Sequence, residues 1–391
     1  MINANIIHRR QLANIITTIN RYFGRKSTFS LEDLSLALFY HHLFYLEENV
    51  IYKGKRDQIL EQIVRKIKVE GLAGIMGTPQ GPFLMNCLAN VIKGMYRNEE
   101  NSPALYDSVN QFSHELLNEG WITKEWSNWG YLDGWAGMAN YYLELPKEFS
   151  SRAAFLKRLD QVPDEWILTS FGQYPGLPFR QRPLVEVGLG SGITGILTVL
   201  ERLATATGNP LLATLLEENV RQLLQWRQEV DQTASKCSFF PFMIDRTKRE
   251  AHYDNRLWWK SGDLGQVLLL YRNGQLQHND HQARTALLVA LNTLMRKVPQ
   301  HTNIENATIE EGAAGVAELY RKLFHLMGNT QLLDGYHYWI SETERLLEKE
   351  VSEGRWYSRG VGVLDGLTGI GLTLAFSEYG MTTSWSDVLL I

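Results

Sequence analysis

The chain has 391 residues, 44% hydrophobic and 21% charged, with a formal charge of -4 and a pI of about 6.2. These values suit a globular protein with a large core and exclude a disordered chain or a strongly basic nucleic-acid binder. Two cysteines, Cys87 and Cys237, are too few for a disulfide framework, and no apolar run is long enough to span a bilayer, so a cytoplasmic protein without a transmembrane segment is expected.

One short pattern recurs along the chain. A first, worn copy is "SLEDLSLALFYHHLFYLEE", where Asp33 and Leu36 stand at places that later copies give to glycine. "VEGLAGIM" carries Gly71 and Gly74, although Pro79 and Pro82 follow and would break a helix begun there, so this copy's inner helix is expected to restart near Pro82. "LDGWAGMANYYLEL" has Gly134 and Gly137, and "GSGITGILTVLERL" has Gly192 and Gly195. "KSGDLGQVLLLYR" has Gly262 and Gly265, "EEGAAGVAELYRKLF" has Gly312 and Gly315, and "LDGLTGIGLTLAFSE" has Gly366 and Gly369. A polar residue precedes each first glycine: Glu70, Asp133, Ser191, Ser261, Glu311 and Asp365.

Successive glycine copies lie 50 to 70 residues apart, room for two helices and two loops. The stretches between them, such as "NPLLATLLEENVRQLLQWRQEV" and "HQARTALLVALNTLMRKV", show apolar spacings of three and four with charges on the other face. Strand signals are few, "CSFFPFMI" being one. The glycines let backbones approach closely, and the polar residues before them are placed to cap helix N-termini. The predicted fold is all-α, a single α/α barrel of about seven helical hairpins over residues 1–391. Its repeats open near 33, 71, 134, 192, 262, 312 and 366, with the inner-helix N-termini gathered at one mouth.

Recurrent Gly-x-x-Gly inner helices in seven hairpins resemble the lanthionine synthetase C-like cyclases, from about "SLEDLSLALF" to "LDGLTGIGLTLAF". The resemblance implies closure of thioether rings in ribosomal peptides. In such enzymes a zinc ion, held by two cysteines and a histidine in Trp-Cys-x-Gly and Cys-His-Gly patterns, presents a substrate thiolate to a dehydroamino acid. This chain departs from the pattern at each ligand. "RLWWKSGDLG" keeps Trp259 but has Lys260 at the first cysteine; "IEEGAAG" has Glu310 at the second cysteine and Glu311 at the histidine. Ser191 replaces the family's acid/base histidine, and Gly130 stands where an aspartate is expected, with Asp133 nearby. Arg256 keeps the family arginine's place, four residues before Lys260.

A lysine ammonium has no lone pair for a metal, and loss of both thiolates removes the soft ligands, so no zinc is expected. Cys237, His252 and Asp254 have no standard ligand spacing. Glu310 and Glu311 read as a helix cap, as half of a salt bridge in which Lys260 and Glu310 fill the metal's place, or as a general acid. Lys260 reads as ion-paired, or as a base or nucleophile if burial lowers its pKa, which the flanking acids oppose. Arg256 grips a carboxylate or enolate-like oxygen, or packs a loop. Ser191, Asp133 and Asp365 read first as caps. The adjacent His41 and His42 are not a ligand pair. Trp121, Trp126, Trp129 and Trp135 are core packing or a platform for peptide or sugar.

Three functions compete. The first is a zinc-independent thioether cyclase acting in lanthipeptide modification. The second is a peptide-binding pseudoenzyme, partnered by a precursor peptide and a dehydratase or other modification enzyme. The third is a carbohydrate-active α/α-barrel enzyme using paired carboxylates among Asp133, Glu310, Glu311 and Asp365.

Overall fold

Seven segments that are buried on nearly every side, not along one stripe, become the inner helices of a ring. The computed structural model describes residues 2–123, 128–171, 184–379 and 384–391. The chain begins with α1 (Ile2–Gly24), α2 (Leu34–Glu47), α3 (Val50–Gly77), α4 (Gly81–Arg97) and α5 (Pro103–Asn118). It continues through α6 (Trp135–Glu144), α7 (Ser150–Asp160), α8 (Asp164–Phe171), α9 (Ile193–Thr207) and α10 (Pro210–Gln225). The last six are α11 (Asp263–Leu276), α12 (Asp280–Thr293), α13 (Pro299–Thr302), α14 (Ala313–Met327), α15 (Thr330–Ser352) and α16 (Leu367–Tyr379).

Helices α2, α4, α6, α9, α11, α14 and α16 pack in that order, and α16 returns to α2, which closes the ring. In α2 every residue from Leu34 to Leu43 is buried, and in α14 every residue from Ala313 to Arg321. Around them α3 packs on α2, α7 on α6, α10 on α9, α12 on α11 and α15 on α14, while α5 bridges α3 and α7. The remaining outer place, beside α16, is filled from the other end of the chain by α1. Arg9 of α1 pairs with Glu378 at 2.6 Å and Arg10 with Glu348 of α15 at 3.2 Å. Buried His8 bridges Glu344 and the Leu374 carbonyl. The fold is therefore the all-α, seven-hairpin α/α barrel read from the repeats.

One glycine pair of the repeat reading is displaced, while the strand signal and the parting of the two histidines hold. Gly71 and Gly74 lie inside the long outer helix α3, with Gly71 at φ +59° breaking its course. The inner helix of that repeat is α4, and Gly81 is the residue packed as the second glycine is elsewhere: a Cβ there would stand 1.9 Å from the Ile75 carbonyl. The strand signal in "CSFFPFMI" survives as Met243 and Ile244 of β2 (Met243–Asp245), which joins β1 (Leu184–Glu186) and β3 (Glu250–His252) in a small antiparallel sheet. His41 and His42 point apart, to Arg56 and to Asn90.

The lumen is filled by the segment Ser384–Ile391, a 3-10 helix over Ser384–Leu389 followed by a turn at Leu390. Trp385 and Val388 to Ile391 are all buried. Tyr131 and Trp259, each next to a mouth residue, donate hydrogen bonds to the Val388 and Leu389 carbonyls at 2.7 and 2.9 Å.

Candidate functional site

The mouth is built by loops that fold back over the helices they start. The first glycine of a repeat is the N-cap in extended backbone, as at Gly134, Gly192, Gly262 and Gly312, and no side chain caps it. The free helix N–H groups go instead to carbonyls of the same loop: Thr194 to Val187 at 3.3 Å, Ala313 to Asn306 at 3.0 Å, Leu367 to Gly360 at 3.0 Å. This corrects the reading of Ser191, Asp133 and Glu311 as caps. It also gives the glycines their reason. A Cβ on Gly192 would lie 2.4 Å from the Gly188 nitrogen, and one on Gly315 would lie 1.9 Å from the Ile309 carbonyl oxygen.

Successive loops are then tied to one another through one repeat position, two residues before the first glycine. Leu132 donates its N–H to Gly190 at 3.2 Å, Gly190 to Lys260 at 3.0 Å, Lys260 to Glu310 at 3.0 Å and Glu310 to Leu364 at 2.9 Å. The result is an open hoop of backbone bonds that links five of the seven repeats at the mouth. It makes Lys260 and Glu310, 50 residues apart in sequence, immediate neighbours.

Their side chains meet. Lys260 Nζ donates to Glu310 Oε1 at 2.8 Å, with side-chain exposures of 32% and 16%. The lysine stem lies over Gly190, where a Cβ would approach its Cγ to 3.0 Å. Burial works against the ammonium, but the Glu310 hydrogen bond and charge, with Glu311 and Glu186 behind it, outweigh that and raise the Lys260 pKa above its ordinary 10.5. Of the sequence readings for this pair, the ion pair is the one present. The same charges run against Lys260 as a base or nucleophile.

Arg256 stands apart from that pair. Its Nε lies 2.6 Å from Asp254, and its guanidinium sits 4.3 and 4.8 Å from the ring centres of Phe242 and Trp258. Burial raises the Asp254 pKa against the opposing pull of the Arg256 N–H and charge. Ser191 and Asp133 line a separate pocket of about 380 Å³ with Asn128, Glu186 and Met243. Trp129 and Trp135 stack at 5.4 Å, and Trp121 lies 6.3 Å from Trp135, all three buried, so they pack the core. Trp126 lies outside the described residues. Cys237 is buried beside Asn255 and is not gathered with His252 and Asp254. Among the described residues no three His, Cys, Asp or Glu side chains are grouped to hold a metal.

One element of the site was missed in the sequence. Asp263 and Arg296 form a fully buried ion pair at 2.5 Å. Asp263 accepts the Phe239 and Phe240 N–H groups, and Arg296 donates to the carbonyls of Asn255, Arg256 and His301. Together they pin the segment that carries Arg256. The available signal was an aspartate directly after a first glycine, where other copies have Trp135, Ile193, Ala313 and Leu367.

Comparison with known proteins agrees with this architecture. Among solved structures, nisin cyclase superposes with a TM-score of 0.70 at 20% identity, over 98% of this chain and 97% of that one. At that identity the likeness is one of fold. Among curated proteins, none matches the sequence. The family model described as "Lanthionine synthetase C-like protein" matches residues 33–390, nearly the whole barrel. The chain belongs to the lanthionine synthetase C-like family.

Proposed function

We propose that this protein binds a precursor peptide during lanthipeptide modification, as a member of its family that does not use zinc at the mouth and does not close the thioether ring itself. The observation that carries this reading is the 2.8 Å Lys260–Glu310 ion pair. It occupies two positions where the family resemblance calls for zinc-ligating cysteines. The donor set does not fit that metal. A protonated lysine has no lone pair, its pKa is raised and not lowered, and Glu310 already accepts its hydrogen bond. Glu311 remains as one carboxylate, and no step is routed through a metal here.

The remaining groups suit holding a peptide. Arg256, oriented by Asp254 and two aromatic rings, offers a planar donor face to a peptide carbonyl or carboxylate. Lys260 and Glu310 present one donor and one acceptor side by side. Family membership favours a peptide over a sugar. A dehydratase that prepares the peptide is the natural partner, and the cell interior the natural place; no described helix is long and apolar enough to cross a membrane.

The experiment mixes the purified protein with a dehydrated, cysteine-containing precursor peptide. Binding by fluorescence anisotropy, with thioether formation at the rate of the peptide alone, is the expected result, with or without added zinc. Ring closure well above that background would refute the non-catalytic reading and favour a zinc-independent cyclase. Absence of binding would refute both.

A further inference from the structure

Ten residues after the first glycine of four consecutive repeats stand Glu144, Arg202, Arg272 and Lys322. At 1.5 Å per residue this level lies about 15 Å along the inner helices, towards the end away from the mouth. The four belong to the adjacent helices α6, α9, α11 and α14 and so form one layer. The charge of Asp387 on the lumen segment acts on all three cations, and Arg272 reaches that segment directly at the Leu390 carbonyl. Lys93 of α4 and Arg321 of α14 join the group.

Two of these cations have no carboxylate partner among the described residues. Glu144 takes Lys93 at 2.5 Å and Arg202 at 2.6 Å, Glu318 takes Arg321 at 2.6 Å, and Asp387 takes Lys93 at 3.4 Å. Glu201 acts on Arg202 and Arg272 from the edge without bonding either. Arg272 donates only to a neutral carbonyl, Leu390 O at 3.2 Å, and Lys322 has neither a hydrogen bond nor an ion pair among the described residues. Burial first, then neighbouring cations, push Lys322 down to about 8 and Arg272 down to about 10. Neither residue is fully buried.

We propose that Arg272 and Lys322 hold a phosphate-class dianion, free or as a phosphate monoester, at the end of the barrel away from the mouth. Two adjacent unmatched cations fit a doubly charged oxyanion better than a single carboxylate. The guanidinium fork and the ammonium supply directed and point-charge donors to its oxygens. Nothing in the mouth is needed for this site, so it stands or falls apart from the peptide-binding reading.

The test is calorimetric melting of the full chain in millimolar inorganic phosphate against chloride at matched ionic strength, with phenyl phosphate as the monoester probe. Phosphate is expected to raise Tm by about 3 °C and to saturate. Arg272→Gln and Lys322→Gln are expected to melt higher than the parent without phosphate, because repulsion is relieved, and to lose the phosphate increment. Saturation by phenyl phosphate as well assigns the site to esters; its failure assigns it to free phosphate. Equal Tm in phosphate and chloride, or an undiminished increment in both variants, overturns the proposal.

Discussion

Replacing Asp263 by alanine tests how the mouth is anchored. The carboxylate and Arg296 are both fully buried and 2.5 Å apart, so the substitution strands a guanidinium in the interior. Breaking a buried pair in this way costs about 3–5 kcal/mol, and the Phe239 and Phe240 N–H groups lose their acceptor as well. We take about 4 kcal/mol as the expected loss, because these terms overlap. Unfolding entropy of about 2.1 cal/mol/K per residue gives about 0.8 kcal/mol/K for a chain of this length, so Tm should fall by about 5 °C. Scanning calorimetry reads that shift, and hydrogen exchange should speed first at Phe239 and Phe240. Pairing Asp263→Leu with Arg296→Met removes both charges and should recover part of the loss, though the carbonyls that Arg296 served remain unmatched. A fall of less than about 1 °C for Asp263→Ala would refute the anchoring argument.

Four further outcomes follow from the geometry. Lys260→Met should change stability by no more than about 1 kcal/mol by urea denaturation, since an ion pair with solvent access at the lysine is worth little, whereas a loss above about 3 kcal/mol would show that the pair holds the hoop together. The combined variant K260C, E310C and E311H should acquire about one tightly held zinc per chain by elemental analysis, if the hoop keeps those positions adjacent for any side chains; a metal-free product counts against that. Gly315→Ala should lower stability by several kcal/mol or prevent folding, because its Cβ meets the Ile309 carbonyl at 1.9 Å and Trp259 at 2.9 Å; unchanged melting would show that the loop has room to move. At the α1 contact, burial works against protonated His8, but Glu344 and the Leu374 carbonyl outweigh it and raise its pKa above 6.5. Its stabilising contribution is therefore full below about pH 6.5 and disappears as pH rises through the raised value. His8→Ala should flatten that part of the stability–pH curve.

The ring was legible because five of the seven inner helices leave the same mark, two small residues one turn apart before an apolar run. Gly71 and Gly74 show how that mark misleads. They have the spacing, but in the fold it is Gly81 that meets its own loop carbonyl, and the prolines, not the spacing, marked the restart near Pro82. The caps were misread for a related reason: loop carbonyls satisfy the helix N–H groups, and carbonyls leave no trace in residue identity. Lys260 and Glu310 could be paired in advance because the family resemblance puts both at positions that share one metal. Arg296 lies between repeats, so its bond to Asp263 had no register to reveal it. The lumen segment Ser384–Ile391 follows the last repeat and shares none of its pattern.

That segment has a further consequence. With Trp385 and Val388 to Ile391 buried inside the ring, the barrel is closed along its axis and is not a tunnel. On the peptide-binding reading proposed above, a long peptide would lie across the mouth instead of threading through it, and the loops tied together there would set which stretch of it is held.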